Sequence, residues 1–197
     1  MESQAPNGQG ALVTVSRGKH YSDGLDLSYV LSELPDNDAK MAFLKRVDKL
    51  FARLLTFPMI TVAAVNGHAF AGGMLLALCH DYRVGNQTKG FWCMTEINMG
   101  ARLTPGFSML INSKMPAALT SHMMITATRL DSKQMKQDWG IVHELGEGEA
   151  QVLEKAIKLA GSYADKGKQA LGEIKQDVWW KAWNELCGNT PYRSSKM

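Results

Sequence analysis

The most constraining feature of this chain is the apolar stretch Phe57 to Cys79, which is interrupted twice. A membrane span needs about 20 unbroken apolar residues. Here Asn66-Gly67 and His68 break the run, and the pair Gly72-Gly73 divides it again. What remains is a wholly apolar segment, Met59 to Val65, followed by a turn and a second apolar segment from about Gly73 to His80. The first suits a parallel strand covered on both faces; the second has the length and composition of a buried helix. Two glycines at the mouth of such a helix bring no side chain to pack and cost backbone entropy, so bare backbone must serve a purpose there. Two readings fit. Glycine permits tight packing of helix on strand, or it lets a ligand oxygen approach main-chain N–H groups at the positive end of the helix.

The rest of the chain repeats the alternation. Ala11 to Ser16 reads as a strand, GKHYSDG (Gly18 to Gly24) as a loop and Leu27 to Leu34 as weakly helical. Asn37 or Asp38 is a candidate cap for a helix over Ala39 to Leu55. Its residues Phe43, Leu44, Val47, Leu50, Phe51 and Leu54 recur at helical spacing and define one buried face. Strands are expected at Tyr82 to Val84, Gly90 to Met94 and Ile141 to Leu145. Helices are expected from Thr104-Pro105 through Ile111, over Pro116 to Thr126, and after Asp131-Ser132 as far as Gly140. Glu149 to Leu186 reads as two helices broken near Gly167. This order argues an α/β fold with a parallel sheet, followed by a helical region.

Composition limits the partners. A formal net charge of +3 over 197 residues, with no Lys/Arg block of five, disfavours a nucleic-acid or membrane-surface role. Three scattered cysteines, Cys79, Cys93 and Cys187, suit free thiols better than a disulfide framework, and no Cys/His pair has zinc spacing. Neither GxGxxG nor GxxxxGK[ST] fits Gly67, Gly72 and Gly73. No serine or cysteine lies in a nucleophile elbow. His68 and His80 read as turn and helix-end residues, His80 as a favourable partner of the helix dipole.

Four ordered segments, GKHYSDGLDL (Gly18 to Leu27), ITVAAVNGHAFAGGMLLALCHDYRV (Ile60 to Val84), FWCMTEINMG (Phe91 to Gly100) and LDSKQMKQDWGIVHEL (Leu130 to Leu145), together resemble the crotonase, or enoyl-CoA hydratase/isomerase, superfamily. They are most similar to plant and peroxisomal Δ3,Δ2-enoyl-CoA isomerases. The resemblance implies an α/β crotonase-like fold of ββα repeats, its parallel sheet covered by helices. It divides the chain into a polar start (1–10), a core (11–145), a C-terminal helical region (146–187) and a flexible tail (188–197). The hairpin and helix that open family members have no counterpart here, which leads us to expect an uncovered sheet edge.

The same resemblance implies an oxyanion hole made by the main-chain N–H groups of Leu25 and Gly72, with Ser22, Asp23, Gly24 and Leu75 beside the acyl-CoA. Glu96 matches the acid/base carboxylate. The hydratases' other glutamate matches Leu75, which carries no proton, so the pattern implies an isomerase that shifts a 3-enoyl-CoA double bond to trans-2 in fatty acid β-oxidation. Trp92, Met94, Ile97 and Met99 are expected to desolvate Glu96 and raise its pKa, with Thr95 and Asn98 as nearby orienting groups. The alternatives are an enoyl-CoA hydratase or other crotonase enzyme, and a non-catalytic acyl-CoA-binding or assembly subunit. No metal or redox cofactor is implied. A homotrimer or homohexamer is, with Trp179, Trp180 and Trp183 as candidate contacts. The ending Ser195-Lys196-Met197 resembles the peroxisomal Ser-Lys-Leu address, which would make an import receptor a partner and the peroxisome the location.

Overall fold

A computed structural model describes residues 10–166 and 169–188. The expected polar start up to residue 9, the break near Gly167 and the Ser195-Lys196-Met197 signal lie outside the described residues.

The core is built from three successive β-β-α units. The first comprises β1 (Ala11–Val15), β2 (His20–Ser22), a π-helical turn (Tyr29–Glu33) and α1 (Asn37–Leu55). In the second, β3 (Ile60–Val65) and β4 (His68–Phe70) lead into α2 (Gly72–Cys79). The third runs through β5 (Tyr82–Asn86), β6 (Trp92–Cys93) and a 3-10 turn (Glu96–Met99) to α3 (Pro105–Lys114). The first strands of the units, joined by β7 (Glu144–Gly146), form a parallel sheet in the order β1-β3-β5-β7. The short second strands form their own parallel sheet, β2-β4-β6. Helices α4 (Ala117–Thr126), α5 (Ser132–Gln137), α6 (Gly148–Gly161), α7 (Gln169–Val178) and α8 (Trp180–Leu186) complete the described fold.

Local chemistry accounts for the elements. All six residues of β3 are buried, because the core cluster under α1, α2 and α3 covers one face and α6 the other. Thr104 accepts the N–H of Phe107 ahead of Pro105, and Asp131 and Gln134 form a capping box on α5. The cap of α1 is Asp36, whose carboxylate accepts the Ala39 N–H, rather than the expected Asn37 or Asp38. Within α1, Phe51, Leu54 and Leu55 are buried but Leu50 is 59% exposed, so the inward stripe is narrower than the expected face.

Two segments read as loop or turn are strands. β2 lies inside GKHYSDG, and β4 lies between Val65 and Gly72. Each has three residues, too few for a periodicity to register, and pairing across the sheet alone makes them strands. The final strand of the larger sheet begins at Glu144, while Ile141 and Val142 are buried in the core cluster ahead of it. The C-terminal region holds three helices rather than two, α7 passing to α8 at Trp179. Trp179 and Trp183 pack on the core, with Lys114 Nζ 3.8 Å above the Trp179 ring; only Trp180 of the three is exposed. β1 occupies the edge of the four-stranded sheet among the described residues.

His80 departs from expectation. His80 is fully buried, its Nδ1 2.9 Å from Leu76 O and its Nε2 2.9 Å from Thr14 Oγ1. Burial pushes its pKa down to about 4, so it caps α2 as a neutral ring and not as a cation. The charge at that helix end is the buried Arg83 guanidinium, which donates to the carbonyls of Ala77, His80 and Ile141. Asp81 bonds far from its own position, accepting the Thr61 N–H and hydroxyl and pairing with Lys175 Nζ at 2.5 Å.

Candidate active site

The second sheet sets the site. Its three parallel strands point the same way, and the chain leaves each at the same end. Leu25 follows β2, Gly72 follows β4 and Glu96 follows β6. In parallel sheets the residues just past the strand ends converge on a crevice. Here all three line one cavity of about 490 Å³.

The two glycines have different tasks. A Cβ on Gly73 would lie 2.0 Å from the carbonyl oxygen of Ser22, so α2 packs on β2 only because that side chain is missing. A Cβ on Gly72 would lie 3.1 Å from Gly24 Cα and 3.5 Å from the Leu25 nitrogen. The main chain at Leu25 and the first turn of α2 therefore meet across a gap that a methyl would crowd. Among the described residues, neither the Leu25 nor the Gly72 N–H has a hydrogen-bond acceptor. Two unpartnered main-chain N–H groups thus belong to residues that line the cavity, one of them at the positive end of α2.

Glu96 completes the arrangement. It is 9% exposed, it opens the 3-10 turn, and its Oε2 has no partner. Burial raises its pKa above the ordinary carboxylate value, and hydrogen bonds from the main chain at Glu96 and Thr95 pull it partly back. Trp92 and Met94 are buried as expected, but Ile97 and Met99 are 52% and 48% exposed. Met99 nevertheless lines the same cavity as Glu96, together with Leu25, Leu75 and Leu103. Asn98 is exposed, and Thr95 acts through its main chain rather than its hydroxyl.

Leu75 is fully buried and lines the cavity where a second carboxylate would have to stand. Asp23, the other acid on the wall, is hydrogen-bonded to His20 Nδ1. Ser22 and Gly24 shape the loop without lining the cavity: the Ser22 hydroxyl accepts the Gly24 N–H at 3.1 Å. His68 lies outside the cavity, its Nδ1 accepting the Phe91 N–H, and partial burial followed by His20 and Lys19 keeps its pKa low.

Much of the remaining wall was not anticipated. Val30 and Leu31 come from the π-helical turn and Leu27 from just ahead of it, Met41 and Leu44 from α1, Phe107 from α3 and Thr104 from its cap. Apart from Thr104 these are apolar, and Lys40 and Arg102 line the same cavity. Only the apolar stripe of α1 hinted at them, through Leu44. Among the described residues, no group of three His, Cys, Asp or Glu could hold a metal ion, and no helix is long and apolar enough to cross a membrane.

Paired parallel sheets built from β-β-α units, with main-chain donors and one buried carboxylate at the strand ends, define a crotonase-type protein. Residues 3–188 match the enoyl-CoA hydratase/isomerase family profile, and the chain belongs to that family. It is 31% identical to enoyl-CoA delta isomerase 3 of Arabidopsis thaliana over 94% of this chain and 78% of that protein. It is 29% identical to the peroxisomal enoyl-CoA delta isomerase 2 of the same plant, over 95% and 78%. A carnitinyl-CoA dehydratase from Salmonella typhi is 28% identical over 93% and 67%. The fold matches human mitochondrial delta3-delta2-enoyl-CoA isomerase with a TM-score of 0.80, at 21% identity over 92% of this chain and 69% of that one. An Mtb enoyl-CoA isomerase also superimposes with a TM-score of 0.80, at 22% identity over 91% and 76%.

Proposed function

We propose that this protein is a Δ3,Δ2-enoyl-CoA isomerase. One observation carries the reading: a single unpartnered carboxylate oxygen, Glu96 Oε2, belongs to a cavity also lined by Leu25 and Gly72, whose N–H groups have no acceptor among the described residues. The thioester oxygen would lie between the two donors. The Glu96 carboxylate takes a proton from C2, and the electron pair of that C–H bond moves through the carbonyl into the C1 oxygen to give a dienolate. That charge is held by the two N–H groups. The dienolate then collapses, the C2–C3 double bond forms, and the proton on Glu96 returns at C4. Nothing is gained or lost overall. The raised pKa keeps Glu96 near the pH at which a group both accepts and returns a proton efficiently. Only the charged form starts the reaction, so turnover falls as pH drops through that raised pKa.

Leu75 supports this over water addition, because it is apolar and the other acid on the wall, Asp23, is already hydrogen-bonded to His20. The Arabidopsis isomerase relatives point the same way. The apolar wall that α1 and α3 contribute suits a fatty acyl tail, and each methylene buried there is worth about 0.8 kcal/mol, or roughly fourfold in affinity. With a peroxisomal relative at 29% identity, we place the enzyme in peroxisomal β-oxidation, with an import receptor as partner and the trimer or hexamer that the family resemblance implies. The test supplies 3-enoyl-CoA and follows conjugated 2-enoyl-CoA. Glu96→Gln is expected to lower turnover by roughly 10²- to 10⁴-fold while CoA-ester binding persists. Retention of most activity would remove Glu96 from the reaction; hydration of crotonyl-CoA by the wild type would favour a hydratase.

A further inference from the structure

The residue ahead of Gly72 is strained. Ala71 adopts φ 49° and ψ −122°, which is the first central position of a type II′ turn and a place for glycine. Ala127, the other non-glycine residue with positive φ among the described residues, differs: its ψ of 34° puts it in the ordinary left-handed region. The surroundings lock Ala71 in place. Its N–H donates to Cys93 O at 2.9 Å, and its carbonyl accepts the N–H groups of Met74 and Leu75 at 3.0 and 3.2 Å. Both main-chain polar groups are thus used within the protein, yet Ala71 lines the cavity. Beyond its main chain it carries only a methyl group.

That methyl has a defined neighbourhood. On one side is Gly72, whose N–H is a free donor; on the other, the bond to Cys93 ties Ala71 to the strand that runs into Glu96. Ala71, Gly72 and Glu96 all line the same cavity. Glycine would fit the backbone without strain, so the strain is retained together with a methyl at a residue of the cavity wall. We propose that Ala71 sets substrate specificity, its methyl excluding acyl thioesters branched at C2. This rests on the proposed position of the thioester oxygen between Leu25 and Gly72. Crowding by one carbon discriminates by roughly 10- to 200-fold.

The test measures binding of two unreactive saturated esters, octanoyl-CoA and 2-methyloctanoyl-CoA, by titration calorimetry. Wild type, Ala71→Gly and Ala71→Ser are compared, with melting midpoints recorded alongside. Wild type is expected to prefer the unbranched ester at least tenfold. Ala71→Gly should reduce that preference to near unity and, with the strain relieved, melt about 2–4 °C higher. Ala71→Ser should keep the preference and gain no stability. An unchanged ratio in Ala71→Gly, or equal binding of both esters by wild type, overturns the proposal. Turnover of 3-octenoyl-CoA by wild type is scored separately. Its absence sinks the isomerase reading while the binding ratio still decides the role of Ala71, and failure to bind either ester sinks both.

Discussion

Placing a methyl on each of the two adjacent glycines separates binding geometry from packing. At Gly72 the new Cβ would stand 3.1 Å from Gly24 Cα and 3.5 Å from the Leu25 nitrogen. A displacement of a few tenths of an ångström relieves this, so Gly72→Ala should fold, at an overpacking cost of about 1–3 kcal/mol. The same methyl intrudes on the notch between the two free N–H groups. Loss of one oxyanion donor costs roughly 10²–10³ in turnover, or about 2.7–4 kcal/mol of transition-state stabilisation. At Gly73 the Cβ would stand 2.0 Å from the Ser22 oxygen and 2.5 Å from its carbonyl carbon. No side-chain rearrangement relieves a contact with backbone, so β2 or α2 must move by about an ångström or more. The penalty should then rival the total stability of about 5–15 kcal/mol. The assay pairs urea denaturation with initial rates on 3-enoyl-CoA. Gly72→Ala is expected to keep a cooperative transition and lose at least a hundredfold in kcat; Gly73→Ala is expected to lose the fold. A Gly72→Ala enzyme with kcat within threefold of wild type would refute the oxyanion assignment.

Two further predictions concern buried charge. Asp48 is 9% exposed, and burial lifts its pKa from the ordinary 3.8 to about 6, against the Thr104 hydroxyl that donates to it at 3.1 Å. A raised carboxylate pKa disfavours the charged form on folding, so the penalty is complete above pH 6 and absent below pH 4. Two pH units correspond to at most about 3 kcal/mol. Asp48→Asn, which retains an acceptor for Thr104, should therefore be the more stable protein at pH 8, with the difference vanishing by pH 4; parallel denaturation curves across that range would count against it. Lys175 is 5% exposed and donates to Met59 O at 2.7 Å and to Asp81. Lys175→Met leaves the half-buried Asp81 carboxylate with only Thr61, at an expected cost of about 1.5–3 kcal/mol in urea denaturation. A loss below 1 kcal/mol would show that the pair contributes little.

The sequence by itself was enough for β3, for α2, for the caps on α3 and α5, and for α1 apart from its cap and one face residue. A six-residue apolar strand, a Thr-Pro start and an Asp-x-x-Gln box are local chemistry, each complete within a few neighbours. The order of those elements, with the resemblance of four segments, also singled out Leu25, Gly72 and Glu96. What the tertiary structure decided is the second sheet. β2, β4 and β6 have two or three residues each and exist only because they pair with one another, yet their common end brings those three residues to one cavity. The different tasks of Gly72 and Gly73, the strain at Ala71, and the neutral His80 all depend on contacts between segments distant in the chain or on backbone angles. A residue's type limits what it can do; burial and the approach of other backbone determine which of those things it does.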